Sequence, residues 1–188
     1  MSDVQELYRK ANEQFGKKVD SIAESQWNDP TPCTEWDVRA LVNHLASENA
    51  WIPPLLAGRT IADVGTSLDG DLLGEDPKEE WRSRAEEAGR AVEGDGAMDA
   101  TVHISRGEVP GAEYVFEVLA DLTIHGWDLA RAIGADEVID PELLDAVYPY
   151  YEPLVNLLKA TGAFGPVVEP PPGADRQTRL LAMLGRKA

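Results

Sequence analysis

Apolar residues recur at steps of three and four along most of this chain, and the places where that rhythm stops separate its helices from its connectors. Leu7, Tyr8, Ala11, Phe15, Val19 and Ile22 make the first stripe, which predicts an amphipathic helix from Val4, capped by Ser2 or Asp3. Pro30 and Pro32 end it, since each removes a backbone donor and forces extended geometry on the residue before it. Thr34 and Asp37 then stand at capping-box spacing ahead of Val38, Leu41, Val42, Leu45 and Trp51, predicting a second helix that runs to about Pro53-Pro54. Between Leu55 and Glu75 the rhythm is lost and Gly58, Gly65, Gly70 and Gly74 accumulate, the pattern of a long irregular crossover of the kind that covers a site.

Asp76-Pro77 opens a third helix through Trp81, Ala85, Ala88 and Val92, stopped at Gly94. Ala100–Ser105 is β-prone, and Arg106–Gly111 reads as a connector. A fourth helix from about Ala112 to Ile133 carries Val115, Val118, Leu119, Leu122 and Leu129 on its apolar side and ends at Gly134. Asp140-Pro141 opens a fifth, which Pro149 and Pro153 kink or split on its way to Leu158. Four prolines lie between Pro166 and Gly173, after which Asp175 caps a short helix bearing Leu180, Leu181 and Leu184. The expectation is an all-α fold: a four-helix bundle with one long crossover over residues 1–160, and a Pro-rich extension with a short helix over residues 161–188.

Charge narrows the partners. The 188 residues include 34 acids against 17 lysines and arginines, a net charge of −17, and such a surface repels nucleic-acid phosphates and anionic lipid. No stretch of 18 apolar residues occurs and the N-terminus has no apolar h-region, so the expectation is a cytoplasmic protein, monomer or homodimer, that binds neither nucleic acid nor membrane. A single cysteine, Cys33, rules out an internal disulfide and a multi-thiolate zinc cluster, leaving histidine and carboxylate as the main metal donors.

Three histidines carry the candidate chemistry. His44 flanks the apolar stripe of the second helix, one turn before Glu48 and near Trp51, while His125 follows Asp121 by one turn on the fourth helix, so both groups project from one face. A catalytic zinc site needs three protein ligands and an open position, and His44, Asp121 and His125 would supply them if the two helices face each other. Gly126 would allow close helix approach, with Trp127 or Trp51 walling the cavity. Spacing alone also admits the alternative that these are core histidines paired with acids, because His44 has Glu48 at plus four and His103 has Asp99 at minus four. Cys33, with no His or Lys near it in sequence, reads as a packing residue, and Trp36, Trp51 and Trp127 read as core. His103 reads as a structural hydrogen-bonding residue. Arg82, Arg84 and Arg131 are candidate anchors for a substrate carboxylate.

The run from Thr31 to Leu45, TPCTEWDVRALVNHL, and the run from Asp121 to Ala130, DLTIHGWDLA, resemble the two ligand-bearing segments of the metal-binding domain of mycothiol-dependent maleylpyruvate isomerases, within the DinB-like superfamily. The tail, with Phe164-Gly165-Pro166-Val167 and the helix around Arg179–Arg186, is similar to stand-alone metal-binding members. The resemblance implies a DinB-like bundle with His44, Asp121 and His125 as ligands of a divalent metal, most often Zn2+, with Ni2+ or Fe2+ as alternatives. It also implies a mycothiol-type thiol as cosubstrate. Asp121 stands where the isomerase is expected to carry Glu, a carboxylate one methylene longer. The isomerase is expected to have a further C-terminal domain, so a single-domain chain fits a metal-dependent thiol transferase or isomerase acting on a small electrophile. Glu48, by its place one turn beyond His44, is the candidate catalytic residue, as an orienter of that ligand or a proton acceptor, with a surface or salt-bridge role as the alternative. The alternatives are a non-catalytic metal-binding or regulatory module that contacts another protein, and a bundle without metal.

Overall fold

A computed structural model describes residues 3–155, 157 and 166–187, and it divides into two compact units, residues 1–136 and 137–188. The first unit holds helices α1 (Val4–Ser21), α2 (Val38–Leu56), α3 (Ile61–Val64), α4 (Pro77–Val92) and α5 (Gly111–Ile133), with strands β1 (Thr101–Ile104) and β2 (Gly107–Pro110). The second holds α6 (Pro141–Tyr151), a 3-10 turn over Glu152–Leu154, and α7 (Arg176–Met183). The fold is thus mostly helical with a small two-stranded sheet.

Local chemistry accounts for the boundaries. Asp3 caps α1 by accepting from the Gln5 amide, Asp76 caps α4 with Pro77 in its first turn, and Asp175 caps α7. Helix α2 starts later than the capping-box spacing predicts: its cap is Asp37, whose carboxylate accepts from the Ala40 amide at 2.8 Å, not Thr34. The residues before it are held otherwise, with the Trp36 amide donating to the Cys33 carbonyl at 2.8 Å and the Thr31 amide to the Trp36 carbonyl at 3.3 Å. Pro53 and Pro54 lie inside α2 near its C-terminal end rather than stopping it.

Arg106–Gly111 is not a plain connector. Gly107–Pro110 pairs antiparallel with Thr101–Ile104 as a hairpin about Ser105-Arg106, so the all-α expectation needs this correction. The hairpin delivers the chain to α5 through Gly111, whose amide donates to Ala100 at 2.7 Å. The predicted crossover is irregular apart from α3, which a reciprocal Thr60–Asp63 capping box closes. It is tied to α2 by Asn43, which donates to Gly70 and accepts from Leu72, and by Arg39, which bonds Asp71 and Gly74. The predicted continuation of the fifth helix to Leu158, the Ser2 cap and Phe164-Gly165 lie outside the described residues.

In the first unit α1 packs on α4 and α5, and α2 packs on the same two helices, so each long helix touches two others. Leu41, Leu45, Ile52, Leu119, Leu122, Ile124 and Leu129 fill the space between them, all but excluded from solvent. A buried polar chain crosses this core: Tyr8 donates to Asn49 at 2.7 Å, Asn49 to Asn12 at 3.0 Å, and Asn12 to the Ala85 carbonyl at 3.1 Å. Each group is satisfied, so the chain locks α1, α2 and α4 in one register. From Leu122 to Ala130 every residue of α5 is buried, which places His125 and Asp128 in the interior. In the second unit α6 and α7 pack together, and Gln177 bonds both the Ile139 amide and the Glu137 carbonyl.

Candidate metal centre

Helices α2 and α5 run side by side, and the pairing brings His44 to Asp121 across 77 residues of chain, with Nε2 2.7 Å from Oδ2. Asp121 turns its other oxygen, Oδ1, to His125 Nε2 at 3.4 Å, one turn along α5. One donor atom from each of His44, Asp121 and His125 lies within 4.8 Å of the other two. The carboxylate is therefore shared between two imidazoles, with His44 and Asp121 partly open and His125 nearly closed to solvent.

The second nitrogen of His125 is occupied too. Nδ1 stands 2.9 Å from Oδ2 of Asp128, whose side chain is fully buried. Cys33 joins them, its Sγ 3.7 Å from His125 Nδ1 and its thiol donating to Asp128 Oδ2 at 3.4 Å. This overturns the reading of Cys33 as a packing residue: its histidine lies 92 positions away in sequence and arrives by folding.

The loop before α2 explains how. Pro30 and Pro32 extend the backbone, Pro30 bridges to Asp37, and the Thr31 hydroxyl donates to the Trp36 carbonyl at 2.8 Å while accepting from the Cys33 amide at 3.1 Å. One threonine thus sets both Cys33 and Trp36. The Trp36 ring lies over the pair of imidazoles, its centroid 4.7 Å from that of His44 and 5.5 Å from that of His125. Trp36 is the wall of this site. Trp127 is buried in the core with Arg131 stacked 4.7 Å over its ring. Gly126 is not a point of tight approach either: a Cβ there would meet Phe15 at an ordinary 3.8 Å.

The electrostatics follow from burial and neighbours. Burial alone would push Asp121 up, but the charge and hydrogen bonds of His125 and His44 outweigh it and hold this carboxyl well below the usual range. His125 is the converse: burial would lower it, yet Asp121, with the Asp128 and Cys33 hydrogen bonds, holds the imidazolium well above 6.5. Glu48, one turn past His44, is pushed up by burial and then by the charge of Asp121. Near it the Tyr114 hydroxyl is buried and has no hydrogen-bond partner among the described residues, and the charge of Glu48 adds to the burial that raises its phenol.

The other sequence candidates are engaged elsewhere. His103 faces Glu108 across the hairpin at 3.5 Å. Arg82 pairs with Asp20 and Glu79, and Arg84 with the Leu72 carbonyl and Glu80. Sequence reasoning passed over Cys33, Trp36, Asp128 and Tyr114. Only Asp128 had a local signal, an acid three residues after His125 on the same helix. Among the described residues no helix is long and apolar enough to cross a membrane.

Residues 8–130 match the family described as the mycothiol maleylpyruvate isomerase N-terminal domain. Uncharacterised proteins from two strains of Mycobacterium tuberculosis are 29% identical over 139 residues, covering 72% of this chain and 70% of theirs. The crystal structure of the mycothiol-dependent maleylpyruvate isomerase superposes with a TM-score of 0.63 at 13% identity, covering 87% of this chain and 76% of that one. A histidine-to-alanine mutant of the isomerase superposes with a TM-score of 0.64 at 12% identity over the same shares. These two likenesses concern the fold.

Proposed function

From the chain's place in the mycothiol maleylpyruvate isomerase N-terminal domain family, to which it belongs, we propose that it binds one divalent metal through His44, Asp121 and His125 and acts with a mycothiol-type thiol on a small electrophile, as a thiol S-transferase or isomerase. The observation that carries this reading is the convergence of those three donors from α2 and α5 in a chain of this family. Zn2+ is the metal we expect, since two imidazoles and a carboxylate suit it, with Ni2+ or Fe2+ compatible with the same donors. We read the packing of α1, α2, α4 and α5 as the DinB-like four-helix bundle, and the protein as a cytoplasmic monomer or homodimer.

When bound, the metal supplies a Lewis acid that favours the thiolate form of the thiol. The chain's own groups do the rest. Asp128 accepts from His125 Nδ1 and so leaves Nε2 free to ligate. Trp36 packs against both imidazoles and walls that side of the site. Glu48, raised by burial and by Asp121, is suited to accept the proton that the thiol gives up. The Tyr114 hydroxyl, two turns before Asp121 on α5, is a donor for an oxygen of the electrophile.

Metal content of untagged protein, measured by mass spectrometry beside His44→Ala and His125→Ala, tests the site. We expect about one ion per chain, lost in both variants, and a thiol-dependent activity that Asp121→Ala abolishes. Wild-type protein that takes up no zinc, nickel or iron would overturn the proposal. Metal bound with no thiol-dependent turnover of any electrophile would leave a non-catalytic metal-binding module instead.

A further inference from the structure

His125 meets a set of metal donors at each of its two ring nitrogens. On the Nε2 side stand Asp121 and His44; on the Nδ1 side stand Asp128 and Cys33, and this second group also places one donor atom of each residue within 4.8 Å of the others. Its edges are 2.9 Å from His125 Nδ1 to Asp128 Oδ2, 3.4 Å from that oxygen to Cys33 Sγ, and 3.7 Å from Sγ to Nδ1. Zinc-like bonds of about 2.0 Å to N and O and about 2.3 Å to S, set at tetrahedral angles, require donor separations of roughly 3.3 to 3.6 Å. The three groups are thus near the spacing of one face of a tetrahedron. The Thr31 hydroxyl holds the Cys33 backbone, and burial holds Asp128.

We infer that Cys33, Asp128 and His125 Nδ1 form a second, thiolate-containing metal position, selective for soft ions and exclusive of the first because both use one imidazole. This goes beyond the proposed function, which needs only the Nε2 side. A neutral imidazole has one lone pair. With an ion at Nε2, Nδ1 carries the proton and donates it to Asp128; with an ion at Nδ1, Nε2 carries it and donates to Asp121. Both acceptors are already in place, at 2.9 and 3.4 Å. Starting from the imidazolium, binding at the second position releases two protons to solvent, that of the Cys33 thiol and that of His125 Nδ1, while Nε2 keeps its own, and no electron changes hands. Thiolate favours soft ions such as Cd2+ and Cu+, whereas the His44–Asp121–His125 set suits Ni2+ or Zn2+. A soft ion on the thiolate side therefore removes a ligand from the first position and blocks it.

Cadmium and nickel titrations of the full-length wild-type chain test this, with His44→Ala, Cys33→Ser and Asp128→Asn alongside. Ultraviolet absorption detects a sulfur-to-cadmium charge-transfer band, mass spectrometry counts ions, and circular dichroism checks folding. We expect one Cd2+ per chain with the band present in wild type and in His44→Ala, absent in Cys33→Ser, and at least tenfold weaker binding in Asp128→Asn. Cadmium should displace nickel from wild type. Absence of the band in wild type would overturn the inference, as would its undiminished survival in Asp128→Asn, the mark of an isolated thiol. Two ions per chain would overturn the exclusion. Nickel uptake that depends on His44 tests the first position alone, so its failure beside an intact cadmium band would count against the proposed function and not against this position.

Discussion

His125 is the residue on which the site turns, because each of its nitrogens has a fixed partner and its imidazolium is stabilised by Asp121. A protonated ring has no lone pair for a metal, so uptake must displace a proton. The sign follows. Below the raised pKa of His125 each unit of pH should strengthen metal binding by up to about tenfold, and the gain should level off above it. In the metal-free protein the same pair contributes stability that is present at low pH and lost as pH rises through the raised pKa, provided Asp121 stays ionised. Nickel affinities at several values between about pH 6 and 8 measure the first effect, and an affinity independent of pH would refute this assignment. Asp121 and His125 were legible as a pair because one helical turn separates them. Cys33 was not, since its partners sit on a helix some 90 residues away.

At the scale of elements, the caps and turn residues read cleanly: Asp3, Asp76-Pro77, Gly134 and Asp175 act as their types predict. The two departures share a cause. Thr34 lost the α2 cap to Asp37, and Gly107–Pro110 paired as a strand, because backbone groups found partners in other segments that spacing does not reveal. Gly111 shows what such a junction demands. A Cβ there would stand 2.0 Å from the Ala97 carbonyl oxygen and 3.1 Å from Leu56, so Gly111→Ala must shift the start of α5. We expect a loss of about 1–3 kcal/mol, or several degrees in Tm, by overpacking. Gly126→Ala, in ordinary contact with Phe15, should instead be neutral or gain about 0.5–1 kcal/mol from reduced backbone entropy in the unfolded chain. Thermal melts of the two variants against wild type decide it, and equal melting temperatures would contradict the clash.

For the whole molecule, a net charge of −17 on 188 residues means that self-repulsion opposes the compact state. The exposed ion pairs, such as Arg9 with Glu13 and Arg90 with Glu86, offset little of it. Raising sodium chloride from about 10 to 150 mM shortens the screening length from about 30 to 8 Å, so metal-free protein should melt higher in the saltier buffer. Melting lower with salt would mean that attractive pairs outweigh the repulsion.

The chain by itself determined most of the helices and caps, the strongly negative net charge, and the two halves of a candidate site on separate helices, because these depend on neighbours within a turn or on summed composition. Only the tertiary structure decided that α2 and α5 bring His44 onto Asp121, that Trp36 covers the imidazoles, and that Cys33 and Asp128 take the far side of His125. Those contacts join groups far apart in sequence. Packing of apolar faces selects them, and that selection leaves no mark in the local spacing of the polar residues it brings together.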